Sequence, residues 1–251
     1  MQLTTEWIAR PVARAVVRGV ALAVCMTTLG ACSKGDTSTS GAPVAGKISA
    51  SAAAPDTDVT ARGAANGSAL PPGYVVQLDR ANASASDVAY TQKEPGRWEV
   101  RTGPAHILYM LRDTAAGKYT ATATFEQVEA PAHPEAFGVF IGGSGLDRPA
   151  TRKYTYFIVR GDGKYSVKAR SGTDVRTLTD WTASSAVPRQ DSAGKALYGI
   201  KVESDGKTAR VSVNGAPVTT ITSRDGPISG VTGVRVNHNL HLIVTPVSVI
   251  R

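Results

Sequence analysis

The sequence predicts an all-β protein, a sandwich of two antiparallel sheets that follows a signal peptide and a disordered tether. Along residues 119–127, Tyr, Ala and Phe alternate strictly with Thr and Glu, which is the period of a strand buried on one face. No window of twelve or more residues shows a helical period. Alternating runs are separated by dipeptides typical of hairpins: Asp162-Gly163, Asp205-Gly206 and Asn214-Gly215.

The N-terminal 31 residues have the pattern of an export signal. Three arginines precede an apolar stretch of thirteen residues, Gly19 to Ala31, which is too short to span a bilayer well. The stretch ends in Leu29-Gly30-Ala31-Cys32, which resembles a bacterial lipobox. We therefore expect cleavage after Ala31 and lipidation of Cys32. The alternative is an ordinary signal peptide with a chance cysteine.

The lipobox resemblance also predicts where the protein resides. Residue 33 is Ser and not Asp, which by resemblance to Gram-negative lipoproteins favours the outer membrane. The two cysteines of the chain are Cys25 and Cys32. If one leaves with the signal and the other carries lipid, the mature chain has no disulfide and no Cys-ligated metal.

Residues 32–73 are predicted to be a disordered tether. Residues 33–73 contain no aromatic side chain and are mostly Ser, Thr, Ala, Gly and Pro. Such a segment buries too little apolar surface to offset its conformational entropy. A flexible chain of this length has a mean reach of about 35 Å, so it would act as a spacer between membrane and domain.

Residues 74–251 are predicted to form the folded domain. The run Phe137–Ile141 is apolar on both faces and lies between Pro134 and Gly142, which is typical of a central strand. Strands are expected near 74–78, 97–102, 105–111, 118–128, 136–142, 152–160, 164–170, 174–182, 197–204, 207–213, 216–222, 231–237 and 239–249.

The order of several segments resembles a known fold family. These segments are Gly96–Val100, Gly117–Thr120, Phe137–Gly143, Tyr154–Val159, Leu197–Val202 and Val211–Gly215. Together they resemble a concanavalin A-like (laminin-G-like) jelly roll, similar to family-16-glycanase-like and 3-keto-disaccharide hydrolase domains. The resemblance spans roughly residues 74 to 250. It implies two curved antiparallel sheets, with sugars often bound on the concave face.

The catalytic residues of the family-16 glycanases are missing. Those enzymes carry Glu-x-Asp-x-Glu on one strand, and the nearest match here, Glu203-Ser-Asp205-Gly-Lys207, ends in lysine and has the pattern of a hairpin turn. The segment Gly142-Gly-Ser144-Gly145-Leu146 also differs from a serine nucleophile elbow. We therefore expect no catalysis. If the chain is nevertheless an enzyme, the first candidates are Glu126 and His133.

No metal or cofactor site is predicted. His238 and His241 are three residues apart on an expected strand end, which places them on opposite faces and makes them a poor pair of ligands. Clustered oxygen ligands for calcium, a phosphate-binding loop and a dinucleotide fingerprint are not recognisable.

The face opposite the core is the candidate ligand site. By alternation Phe157 and Val159 share one face of a strand, and Tyr154, Tyr156 and Arg160 share the other. Trp181, Arg235 and Asn237 complete the predicted ligand-binding set, with Lys168, Arg170 and Arg210 as further basic members of the surface. The alternative is that the aromatic residues fill gaps in the core and that the basic residues form a solvated face.

Charge and fold together leave three functional hypotheses. Net charge is +8, and +6 remains without the first 31 residues, so anionic glycans, phospholipid headgroups or lipopolysaccharide are plausible partners; nucleic acid is not expected outside the cytoplasm. The first hypothesis is a non-catalytic, lipid-anchored module that binds carbohydrate or another envelope component. The alternatives are a sugar-active hydrolase and a structural or assembly lipoprotein with a protein partner.

Overall fold

The computed structural model describes residues 70–80 and 82–251. Predictions for the signal peptide, Ala31, Cys32 and most of the tether lie outside the described residues. The first strands are β1 (Val75–Leu78), β2 (Val88–Glu94), β3 (Arg97–Thr102), β4 (His106–Ala115), β5 (Lys118–Gln127), β6 (Ala136–Ser144) and β7 (Lys153–Arg160). They are followed by β8 (Lys164–Ser171), β9 (Asp174–Ala183), β10 (Ala196–Asp205), β11 (Thr208–Val213), β12 (Ala216–Thr222), β13 (Gly230–Val236) and β14 (His241–Ile250).

These strands form two antiparallel sheets of seven strands each. Sheet one has the order β1-β4-β13-β6-β7-β8-β9, and sheet two has the order β12-β11-β10-β5-β14-β3-β2. The predicted fold class, a two-sheet antiparallel jelly-roll sandwich, is confirmed. The sequence prediction lacked β2, and a short 3-10 turn at Ala85–Asp87 precedes that strand. The described part of the chain holds no helix long and apolar enough to cross a membrane.

The core lies between the two sheets and is built by alternation. Along β5, Tyr119, Ala121, Ala123 and Phe125 are buried in it, as the period of two predicts. At its centre the Phe137 ring of sheet one lies 5.3 Å from the Phe125 ring and 5.2 Å from the Tyr198 ring of sheet two. Large aromatic side chains of both sheets therefore hold the sandwich together.

The glycine-rich segment after Ile141 has a structural explanation. β6 contains a bulge between Ile141 and Ser144, and Gly142 has a φ of 68° within it. A Cβ atom on Gly142 would lie 2.2 Å from the carbonyl oxygen of Pro227. Only glycine combines this backbone conformation with so close an approach of another chain segment. The segment is a bulge in a strand and not a strand-to-helix elbow.

Candidate ligand-binding face

Alternation gives sheet one a second packed surface on the side away from sheet two. In β7, Phe157 and Val159 belong to the core between the sheets, whereas Tyr156 and Ile158 belong to a separate apolar cluster. We call this second surface the outer face of sheet one. The aromatic and charged side chains that form this face or lie over it are Asp79, Tyr109, Phe140, Tyr154, Tyr156, Arg160, Lys168, Arg170, Trp181 and Arg235.

A continuous row of aromatic rings forms the floor of the outer face. Tyr109 meets Phe140 edge to face at 6.1 Å, Phe140 lies 5.2 Å from Tyr154, and Tyr154 lies 5.5 Å from Tyr156. Gly233 makes room for the row, because a Cβ atom there would lie 2.5 Å from the Phe140 ring. Four rings in consecutive contact thus form one continuous aromatic layer.

One carboxylate and two guanidinium groups lie over the row. Asp79, just after β1, accepts two hydrogen bonds from Arg235, at 2.6 and 2.7 Å, and one from Arg170 at 3.1 Å. Burial by itself would raise the pKa of Asp79, but the charge and hydrogen bonds of Arg235, together with the charge of Arg170, outweigh it and hold that pKa below its ordinary value. The aspartate therefore stays ionised and keeps the two guanidinium groups in place.

The same two arginines lie above the tyrosine rings. The Arg170 guanidinium carbon is 5.9 Å from the centre of the Tyr154 ring, and that of Arg235 is 5.6 Å from the Tyr156 ring. Arg235 also donates a hydrogen bond to the side chain of Asn237 at 3.2 Å. Burial raises the pKa of Tyr156 to about 12, so its hydroxyl is neutral at physiological pH and can donate a hydrogen bond.

Three polar atoms on or beside the outer face are buried without a hydrogen-bond partner among the described residues. They are the Tyr154 hydroxyl, the Arg170 Nε and the Arg152 Nε. A buried polar group left unpaired costs about 1–3 kcal/mol, so each such group calls for an explanation. These atoms are closed off from solvent, so a bound group could pair with them only after the arginine side chains that cover the tyrosine rings move.

The rim of the outer face is formed by β9 and the end of β7. The Arg160 guanidinium carbon lies 4.2 Å from the centre of the Trp181 ring. Asp162 holds that guanidinium in place by accepting two hydrogen bonds, at 3.2 Å from Nε and 2.6 Å from Nη2. Both Arg160 and Trp181 are half-buried, so this stacked pair is the accessible aromatic part of the face.

The structure brings most of the predicted ligand-binding residues to one face but changes their exposure. Tyr154, Tyr156 and Arg235 share the outer face, and Asn237 contacts Arg235 at its end. We expected the two tyrosine rings to meet a ligand directly, but both are buried beneath arginine side chains. Their role in ligand binding stays a prediction, and here they form the floor of the site.

One predicted member of this surface belongs elsewhere. Arg210 lies on β11, which is a strand of sheet two, so it cannot share the outer face of sheet one. Sequence reasoning also missed Asp79, which organises both buried arginines. Its position just after a short strand gave no local signal, because its partners are distant in sequence.

Glu126, a catalytic candidate, and Asp205, from the nearest match to the glycanase motif, both make structural contacts. Glu126 lies on β5 in sheet two and pairs with Arg97 at 2.7 Å. Asp205 closes the β10–β11 turn, where hydrogen bonds from the Thr208 and Lys207 amides lower its pKa to about 2. The hairpin-turn interpretation of this acidic segment is therefore confirmed. A catalytic role for Glu126 and His133 stays a prediction.

The two neighbouring histidines have different partners. His241 contacts the Glu99 carboxylate at 2.7 Å and that of Glu129 at 3.2 Å. His238 instead lies 3.1 Å from the carboxylate of Glu135. His238 lies in the connection before β14 and not on the strand, so the two histidines belong to two separate clusters.

Comparison with known proteins supports the fold and gives no family. No protein-family model matches the chain, and no curated protein matches it. Among solved structures, a protein of unknown function with a galectin-like fold from Bacillus subtilis superposes with a TM-score of 0.52 at 14% identity, covering 70% of this chain and 88% of that one.

Two further structures match with lower scores. The carbohydrate-binding module CBM66 from Bacillus subtilis gives a TM-score of 0.49 at 10% identity, covering 71% of this chain and 96% of that one. Alginate lyase A1-II', a member of polysaccharide lyase family 7, gives 0.46 at 14% identity, with coverage of 71% and 94%. The fold assignment rests on the two-sheet topology and on the galectin-like structure, whose low identity establishes fold alone. The chain has the two-sheet jelly-roll fold of concanavalin A-like proteins, as the resemblance in the sequence implied.

Proposed function

We propose that this protein is a lipid-anchored, non-catalytic module of the cell envelope that binds carbohydrate on the outer face of sheet one. The observation that carries the proposal is the accessible Arg160–Trp181 stack, with the guanidinium carbon 4.2 Å from the ring centre, at the rim of a row of aromatic rings. Aromatic surfaces with a few fixed polar groups are typical of ligand sites. Sugars offer the matching chemistry, since they carry apolar ring faces and many hydroxyl groups.

The charge of the outer face favours acidic sugars. Lys168, Arg170 and Arg235 lie on this face, Asp79 lies between the two arginines, and the carboxylates of Asp162 and Asp180 lie near Arg160 and Lys168. The guanidinium groups are fixed in position, so a ligand carboxylate would meet preorganised donors. We therefore expect a preference for uronate-containing polysaccharides over neutral ones.

The accessible aromatic residue of this face provides the test. Replacing Trp181 with alanine should weaken binding of an acidic polysaccharide by about tenfold or more, because aromatic anchors dominate binding energy. The full chain and the variant are compared by isothermal titration with alginate and with neutral dextran, at low and high salt. The matched control is Leu197→Ala, which removes an exposed apolar side chain of sheet two.

Four outcomes would count against this proposal. Equal affinities of the parent chain and Trp181→Ala would remove the rim from the site. Equal losses in Leu197→Ala would mean that the effect is not specific to the outer face. Absence of binding to both polysaccharides would favour the protein-partner alternative, and released sugar in the same mixtures would favour the hydrolase alternative, with Glu126 and His133 as the first residues to replace.

The lipid anchor is proposed from the sequence alone. The Leu29-Gly30-Ala31-Cys32 segment follows an apolar stretch of signal-peptide length. Replacing Cys32 with serine should abolish incorporation of labelled palmitate and move the protein from the membrane fraction to the soluble fraction, since acyl chains supply the binding energy. Cys25→Ser is the control and should keep both label and membrane association. Palmitate on the Cys32→Ser variant would contradict the proposed anchor.

A further inference from the structure

Two histidines and a glutamate converge at one end of sheet one. His133 and Glu135 belong to the connection between β5 and β6, and His238 belongs to the connection between β13 and β14. β6 and β13 are neighbours with Phe137 opposite Val236, and the Asn237 amide donates to the Ala136 carbonyl at 3.0 Å. Residues just before β6 and just after β13 therefore meet at the same sheet end.

The spacing of the three donor atoms fits a metal ion. The Oε1 atom of Glu135 lies 3.3 Å from Nε2 of His133 and 3.1 Å from Nε2 of His238, and all three donor atoms lie within 4.8 Å of one another. Ligand bonds of about 2.0–2.1 Å in tetrahedral geometry place zinc ligands about 3.3 Å apart. Two of the three separations, 3.3 and 3.1 Å, are close to that value.

The burial of the three side chains matches a site with one open position. The Glu135 side chain is 7% exposed and that of His238 is 14% exposed, whereas that of His133 is 41% exposed. The carboxylate thus lies inside and the cluster opens to solvent on the His133 side. Three protein ligands with a fourth position open to water or another ligand are typical of accessible zinc sites.

We propose that His133, Glu135 and His238 bind a divalent transition metal ion, with Zn²⁺ as the ion that best suits two imidazoles and one carboxylate. The proposal departs from the sequence expectation of no metal site, which considered His238 only with His241. It does not depend on carbohydrate binding by the outer face. A histidine–glutamate–histidine cluster held by hydrogen bonds alone is the competing interpretation, and metal binding distinguishes the two.

The test measures Zn²⁺ binding directly. The full chain is prepared with Cys25→Ser and Cys32→Ser, so that no thiol competes, and it is purified without a histidine tag and stripped of metal. Isothermal titration with ZnCl₂ should show one equivalent bound. His133→Ala, Glu135→Gln and His238→Ala should each weaken the affinity by about tenfold or more, since even supporting residues of metal sites contribute that much.

The matched control is His241→Gln. His241 also lies against two carboxylates, those of Glu99 and Glu129, but it is not a member of the cluster. Its replacement should leave Zn²⁺ affinity unchanged. Co²⁺ added to the parent chain should give the visible absorption bands of a tetrahedral site, and these should be lost in Glu135→Gln. Circular dichroism of the metal-free variants verifies that each is folded.

Two results would overturn the metal site. One is the absence of stoichiometric Zn²⁺ binding and of the Co²⁺ bands in the folded parent chain. The other is an equal loss of affinity in His241→Gln and in the three cluster variants, which would mean that Zn²⁺ binds without regard to this cluster. Because the readouts are binding and absorption, neither result bears on carbohydrate binding.

Discussion

Replacing Asp79 with alanine should lower the free energy of unfolding by about 3–5 kcal/mol, the usual cost of leaving one member of a buried ion pair alone. The Arg235 side chain is only 7% exposed and that of Asp79 is 17% exposed. Without the carboxylate, Arg235 keeps its hydrogen bond to Asn237 but loses its counter-charge, and Arg170 loses the same partner. Urea unfolding of the full chain measures the loss.

The control for this prediction is Asp147→Ala. Asp147 pairs with Arg148 on the surface, where both side chains are more than two-thirds exposed, so its loss should change stability by less than about 1 kcal/mol. A second variant combines Asp79→Ala with Arg235→Met and should recover part of the loss, because fewer buried charges then remain unpaired. Equal effects of Asp79→Ala and Asp147→Ala would contradict the proposed role of the buried network.

The same network predicts a dependence on pH. Because the pKa of Asp79 is lower in the folded chain than in the unfolded one, its stabilisation is complete above its ordinary pKa and is lost as the pH falls through the lowered value. The stability difference between the parent chain and Asp79→Ala should therefore be constant at neutral pH and shrink below about pH 4. A difference that stays constant down to acid unfolding would contradict this assignment.

Replacing Gly142 with alanine should destabilise the protein by about 2–5 kcal/mol. A left-handed backbone costs a non-glycine residue about 1–2 kcal/mol. The added Cβ atom would also lie 2.2 Å from the Pro227 carbonyl oxygen and 2.8 Å from the Ile228 amide nitrogen, so a backbone segment must move. Overpacking of this kind costs about 1–3 kcal/mol more. The midpoint of urea unfolding measures the sum.

Gly117→Ala is the matched control for the bulge. Gly117 also has a positive φ, 64°, but no atom lies within 4 Å of a Cβ added there. Its replacement therefore tests backbone strain alone, about 1–2 kcal/mol. If Gly142→Ala costs no more than Gly117→Ala, the close approach of Pro227 does not constrain the bulge.

The fold could be predicted because the patterns that indicate it involve residues close together in the sequence. Alternation along β5 and the Asp-Gly and Asn-Gly turns depend on neighbours in sequence, and both appear in the structure as expected. β2 escaped prediction because only its first residues, Val88 to Tyr90, are buried, while the following four are exposed. An edge strand whose second half is exposed to solvent carries too little alternation of apolar and polar residues to be recognised from the sequence.

The candidate site could be predicted only in part. Alternation assigned Tyr154 and Tyr156 to the face opposite the core, but it could not give their exposure, which depends on Arg170 and Arg235 from other strands. The cluster of His133, Glu135 and His238 was not predicted because it too depends on residues that are distant in sequence. Its members meet only because β6 and β13 are adjacent, and that pairing is a property of the sheet order and not of any local pattern.

The position of β14 between β5 and β3 has a consequence for how the chain reaches its native state. Thr120 of β5 pairs with Ile250 of β14, so this contact closes a very long loop before it contributes any stability. The β2–β3 hairpin joins the rest of sheet two only through β14. Until β14 pairs with it, β5 has one edge whose backbone hydrogen-bonding groups are unpaired and can pair with other chains. Folding dominated by such distant pairings is slow, so we expect sheet two to be completed late.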